Sequence, residues 1–160
     1  MIASSLSELK SELKHRSKEQ VLEYCLRLAR HKKENKELLN YLIFESSNEG
    51  EFRKQVKTEI GEEFAAIHTN TLYLAKKSIR KILRNINKYI RFSGNKQTEA
   101  ELLIHFCDTL IESGIPFKEN QALLNLFKRQ IEKARKAIAA LHEDLQYDYE
   151  EVITKLLHHQ

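Results

Sequence analysis

The chain has 160 residues, 27 basic and 23 acidic side chains, and a formal charge of +4. It is 41% apolar and 31% charged, with four glycines, one proline, two cysteines and no tryptophan. The longest apolar run, Ala137–Leu141, is far too short to span a bilayer, two cysteines make no disulfide framework, and a sheet-rich fold would need more turn residues.

The chain opens on Met1-Ile2-Ala3-Ser4-Ser5, which lacks the basic start and long apolar stretch of a secretory leader. Ser5 and Glu8 then match a capping box and predict a short helix over about Leu6–Lys14. Ser17 and Gln20 repeat the signal for a helix over about Lys18–Arg30, with Val21, Leu22, Cys25, Leu28 and Ala29 on one face. The stretch Arg30–Glu37, RHKKENKE, has no apolar residue, so the helix is expected to break there. It restarts near Asn35 with Leu38, Leu39, Leu42 and Ile43 as its core face.

After a loop or helix start at Asn48–Glu51 comes the longest helical stretch, Glu51 to about Phe92. Phe52, Val56, Ile60, Phe64 and Ile67 share one face, and Leu72, Ala75, Ile79, Leu83, Ile86 and Ile90 continue after a shift. The shift falls at His68-Thr69-Asn70-Thr71, where poor helix formers predict a kink or a tight turn. Gly61, inside the first part, is expected to mark a close helix approach or a local bend.

Phe92–Asn95 reads as a turn, and Thr98 with Glu101 as a further capping box. That helix should stop at Ser113, with Gly114 at C′ and Pro116 beyond it. A helix over about Phe117–Leu141 follows. Its apolar positions Leu124, Phe127, Ile131, Ala134, Ile138, Leu141 and Leu145 form a heptad seam, which serves as a core stripe or, in the alternative, as a homodimer contact. A last helix is expected over about Tyr149–Leu157. Similar Glu-Leu-Leu and Ala-Leu-Leu segments recur without a fixed period, so a regular repeat array is not supported. The sum is a single all-α domain, residues 1–160, of about seven helices in a compact bundle or a short irregular stack of helical hairpins.

Charge is uneven along this scaffold. Residues 1–50 carry a net +1, residues 51–98 a net +7, and residues 99–160 a net −4. Between Phe64 and Thr98 there are eight bases and no acid. On a helix, Lys76, Arg80, Arg84, Lys88 and Arg91 fall within an arc of about 120°, and Lys77 and Lys81 widen it to about 140°. The greasy residues lie opposite. Helices that carry charge outward usually mix signs, whereas here like charges stand four residues apart. Such a face attracts polyanions by releasing their counterions. Tyr73 lies near the arc, where it can stack on a base, and Asn85 and Asn87 offer hydrogen bonds.

The candidate occupants of Lys76, Lys77, Arg80, Lys81, Arg84, Lys88 and Arg91 are an acidic protein, a phospholipid surface, nucleic acid, or the chain's own tail. That tail holds Glu143, Asp144, Asp148, Glu150 and Glu151 with no base before Lys155. A second basic cluster, Lys128, Arg129, Lys133, Arg135 and Lys136, reads as the solvated face of the heptad helix.

Catalytic signatures are missing. There is no phosphate-cradling glycine loop, GxSxG, HExxH, CxxC or EF-hand, and no Glu-x-x-His pair. Glu101, His105, Asp108 and Glu112 lie within an arc of about 60° on one helix. Without ligands from a second helix they read as a polar face, so neither a metal nor another cofactor is expected. Cys25 and Cys107 sit among apolar neighbours and read as buried small hydrophobes of a reducing, cytoplasmic compartment. The expected function is a non-enzymatic binding or scaffolding module with an electropositive helix face. The alternative is a nucleic-acid-binding protein that grips phosphates through the same face.

Overall fold

The computed structural model describes residues 3–67 and 71–158, and every described regular element is helical. Length alone suggests one domain; the contacts group the chain into two compact units, Met1–Phe44 and Glu45–Gln160.

Unit 1 holds α1 (Leu6–Leu13), α2 (Lys18–His31) and α3 (Lys33–Asn40). Both predicted capping boxes form: Ser5 accepts from the Glu8 amide, and Ser17 from that of Gln20. The helix breaks at Lys32, whose extended backbone separates α2 from α3, and Asn35 Nδ2 ties the corner by donating to the Leu28 carbonyl at 2.8 Å. The break lies a little earlier than the apolar pattern implied.

The half-buried residues of α2 are Val21, Cys25 and Ala29, a stripe four residues apart and narrower than the sequence suggests, because Leu22 and Leu28 are exposed. No residue of α1, α2 or α3 is fully buried. So short a segment encloses too little volume for a dry core. A π-helical turn, Tyr41–Glu45, follows α3. Its extra residue per turn rotates the chain, so Tyr41 is buried while Leu42 and Ile43 face solvent. The expected core face Leu38, Leu39, Leu42, Ile43 is corrected accordingly: only Leu38 and Leu39 are half-buried.

Unit 2 holds α4 (Glu49–Ala65), α5 (Leu72–Ser93), α6 (Lys96–Glu112), a short 3-10 turn (Phe117–Glu119), α7 (Gln121–Ile138) and α8 (Glu143–His158). The predicted stretch from Glu51 to Phe92 is therefore two helices. Of the predicted kink, His68, Thr69 and Asn70 lie outside the described residues. Thr71 caps α5, its hydroxyl accepting from the Leu74 amide at 3.3 Å.

The helix ends follow local chemistry. Gly94 and Gly114 take the left-handed backbone at φ 63° and 68°, where a side chain would be strained. Asn95 and Asn120 cap α6 and α7. The capping role expected of Thr98 falls to Asn95, three residues earlier. Thr98 is instead fully buried, donating to Glu49 at 2.6 Å.

Helix α6 is the centre. It packs against α4, α5 and α7, and α8 packs on α7. Its Leu102, Leu103, Ile104, Phe106, Cys107 and Leu110 are buried on almost every side. They meet the stripe Phe52, Val56, Ile60, Phe64 of α4 and the stripe Ala75, Ile79, Ile82, Ile86 of α5. Phe106 lies 5.7 Å from Phe64, and Phe117 lies 5.1 Å from Phe127, between ring centroids. The helix expected over Phe117–Leu141 is shorter, and the seam does not stay on it: on α7 Phe127, Ile131, Ala134 and Ile138 are buried and Leu124 half-buried, whereas the half-buried Leu141 follows the helix and Leu145 belongs to α8. The hydrophobic stripe is thus largely occupied by the unit's own core.

Gly61 has open space where a Cβ would stand, so it marks no close approach. Gly61→Ala is therefore expected to stabilise unit 2 by about 0.5–1 kcal/mol through helix propensity alone. A urea titration checks this; a loss of stability would show that the helix needs glycine there.

Candidate anion-binding surface

Helix α5 presents the cationic face. Its 22 residues give it a length of roughly 33 Å at 1.5 Å per residue. Ala75, Ile79, Ile82 and Ile86 are buried against the unit and fix the rotation of the helix. That rotation turns Lys77, Arg80, Lys81, Arg84 and Arg91 out to solvent and leaves Lys76 and Lys88 half-buried. All seven predicted residues thus lie on one helix, but they do not share one state. Lys88 sits 4.9 Å from the Tyr89 ring centroid, a cation–π contact, and Arg91 is also engaged. Lys76, Lys77, Arg80, Lys81 and Arg84 have no acidic partner among the described residues.

The acids near α5 line its other flank. Glu63 accepts from Asn85 Nδ2 at 3.0 Å, Glu59 from the Tyr89 hydroxyl at 2.9 Å, and Glu49 from the Ser93 hydroxyl at 2.8 Å. Asn87 Nδ2 donates to the Leu83 carbonyl at 2.8 Å. The two asparagine amides expected to meet a ligand therefore already hold partners. Along the outer row the like charges of Lys76 and Arg80, Lys77 and Lys81, and Arg80 and Arg84 stand one helical turn apart, each pair costing about 0.2–0.5 kcal/mol.

The row borders an open groove of about 620 Å³ lined by Tyr73, Lys76, Lys77, Arg80, Leu83, Arg84 and Asn87. Its lining combines the aliphatic stems of the bases with Leu83 and the Tyr73 ring, which is 76% exposed. Leu83, whose spacing places it with the core residues, is half-buried and lines the groove instead.

The last helix begins earlier than expected, at Glu143 rather than near Tyr149, so the whole acidic tail is helical. Glu150 pairs with Arg135 of α7 at 3.4 Å, and Glu151 with Lys155 of its own helix at 2.6 Å. Through Arg135 the tail meets the second basic cluster, whose Lys128, Arg129, Lys133 and Lys136 remain exposed.

Glu101, His105, Asp108 and Glu112 are dispersed by the packing. Glu101 contacts Arg53, Lys57 and Tyr149, at 3.3, 2.6 and 2.7 Å. His105 Nε2 lies 3.1 Å from the Lys57 carbonyl, which can only accept, so this nitrogen carries the hydrogen. Burial is the main reason the imidazole is held below its ordinary pKa and neutral. The start of this polar arc therefore faces α4, whereas Asp108 and Glu112 are exposed. No group of three or more metal-ligating side chains gathers among the described residues. Burial pushes the Cys107 thiol far up, which leaves it unreactive as a nucleophile. Cys25 is half-exposed rather than buried.

A second groove, of about 550 Å³, was not anticipated. It is lined within unit 1 by Tyr24, Arg27, Leu28, Arg30 and His31. Of its bases, Arg30 and His31 belong to the apolar-free stretch that marks the helix break, and Arg27 precedes it. The available signal was the spacing of Tyr24 and Arg27, which repeats that of Tyr73 and Lys76. No described helix is long and apolar enough to cross a membrane. The chain matches no protein-family model and shows no significant likeness to a curated protein or a solved structure.

Proposed function

We propose that the protein is a non-enzymatic binding module that holds a polyanionic partner on the outer face of α5. The observation that carries this is the row Lys76, Lys77, Arg80, Lys81 and Arg84, without an acidic partner among the described residues, of which Lys76, Lys77, Arg80 and Arg84 border one groove. A solvated helix face gains from mixing signs. A face that keeps its own repulsion is made useful by an external anion, whose binding relieves that repulsion and releases counterions. The absence of a recognised catalytic motif directs the proposal toward binding rather than turnover.

The test is a titration of the full chain with a labelled oligonucleotide and with polyglutamate at two salt concentrations. Affinity for at least one of them should fall steeply between about 50 and 200 mM salt. The double variant Arg80→Glu, Arg84→Glu should bind about tenfold or more weakly at the lower salt and show a salt slope shallower by about two. An unchanged affinity in the variant, or no binding of either polyanion at low salt, overturns the proposal.

A further inference from the structure

Each unit, taken by itself, presents a tyrosine ring at the head of a row of cations. In unit 2, Tyr73 is 76% exposed and borders the α5 groove with Lys76, Arg80 and Arg84. In unit 1, Tyr24 is 38% exposed and borders its own groove with Arg27, Arg30 and His31. In both helices the first cation follows the tyrosine by three residues, so ring and charge lie on the same face. The surroundings agree in sign. Residues 24–36 contain Arg27, Arg30, Lys32, Lys33 and Lys36 against the single acid Glu34.

An acidic polypeptide asks only for cations. A ring set among cations suits a ligand in which flat π faces alternate with anions. A duplex stacks its bases against one another and hides those faces, whereas a single strand offers faces and phosphates together. Lys76, Arg80 and Arg84 also advance by roughly 6 Å per step along the helix axis. Such a regular row suits a ligand whose charges repeat along a chain.

We infer that the polyanion held on α5 is a single strand of nucleic acid, with a base stacked on Tyr73 and phosphates on Lys76, Arg80 and Arg84, and that the Tyr24 groove of unit 1 is a second contact of the same kind. The inference rests on the polyanion-binding proposal for α5.

The experiment is fluorescence anisotropy on the full chain with three probes: labelled oligouridylate, its duplex with oligoadenylate, and polyglutamate. The single strand should bind more tightly than the duplex. Tyr73→Leu keeps every charge and should weaken single-strand binding about tenfold, while polyglutamate binding stays within about twofold. Tyr24→Leu should act in the same direction. If it lowers helix content by circular dichroism, Arg27→Gln tests the same groove from an exposed position. Single-strand binding indifferent to Tyr73→Leu, or duplex binding as tight as single-strand binding, overturns the inference. Polyglutamate binding that depends on Arg80 and Arg84, with no oligouridylate binding, also overturns it and leaves the α5 proposal standing. Binding of none of the three probes at low salt overturns both.

Discussion

Phe106→Ala is expected to destabilise unit 2 by about 3–5 kcal/mol, a large fraction of the stability of a domain this size. Phe106 is fully buried at the middle of α6, the helix on which α4, α5 and α7 all pack. Its ring lies 5.7 Å from that of Phe64, so truncation removes an aromatic contact as well as buried area. Neighbouring helices are anchored on both sides of the site and cannot collapse into the space, which places the cost at the cavity-forming end of the range. The midpoint of thermal unfolding should fall by roughly 10–20 °C. Leu6→Ala, at an exposed position of α1, is the control and should change stability by less than about 0.5 kcal/mol. A loss below about 1 kcal/mol for Phe106→Ala would mean that α6 is not the central helix.

The all-α class and most helix starts and stops were legible because their causes are local. Ser5 with Glu8, Ser17 with Gln20, and Gly114 before Pro116 act within a few residues of themselves, and each forms as read. The buried stripe of α4 follows from a four-residue spacing that the sequence displays openly. The π-helical turn was not legible. It reverses the exposure of Tyr41 against Leu42 and Ile43, and no local residue announces the extra residue in the turn. Thr98 was misread for a related reason. A threonine with a glutamate three residues on has the form of a capping box, but Asn95 supplies a better cap upstream and Thr98 turns inward to Glu49.

The cationic face was legible as geometry, because seven bases on one helix fix their own arc. Which of them hold partners was not. Glu59 lies 30 residues before Tyr89 and Glu63 lies 22 before Asn85, and only the packing of α4 on α5 brings each to its partner. The same packing takes up the Asn85 amide, while Asn87 donates to its own helix, and Lys76, Lys77, Arg80 and Arg84 are left lining the groove. The Tyr24 groove stayed hidden because its bases fall where a helix ends, and cations at a helix C-terminus already have an adequate explanation in the helix dipole.

Glu101→Gln should lower the stability of unit 2 by roughly 1–3 kcal/mol near neutral pH. Glu101 joins three helices, meeting Arg53 and Lys57 of α4 and Tyr149 of α8 from its place on α6. The side chains of Glu101 and Arg53 are each 16% exposed and that of Lys57 is 33% exposed, so losing the carboxylate leaves two poorly solvated cations without a counter-charge. Gln97 completes the cluster, donating to Tyr149 at 2.9 Å. Burial alone pushes the Glu101 carboxyl up, but hydrogen bonds from Lys57 and Tyr149 and the charges of Lys57 and Arg53 outweigh it and hold the group below its ordinary value of 4.5. Burial and the bond to Glu101 push the Tyr149 hydroxyl up to about 12, so it remains a donor at neutral pH.

A carboxyl whose folded pKa is depressed contributes stability that is complete above its unfolded pKa and is lost as pH falls through the folded one. The gap between the native chain and Glu101→Gln should therefore be widest near neutral pH and close as pH drops below 4.5. Other carboxylates titrate in the same window, but they are common to both proteins and cancel in the difference. Urea titrations of the pair at about pH 7 and about pH 3 measure that difference. A gap that stays constant across the two would mean that Glu101 acts through shape and neutral hydrogen bonds. A gap that closes assigns the stabilisation to its charge, held between Arg53 and Lys57.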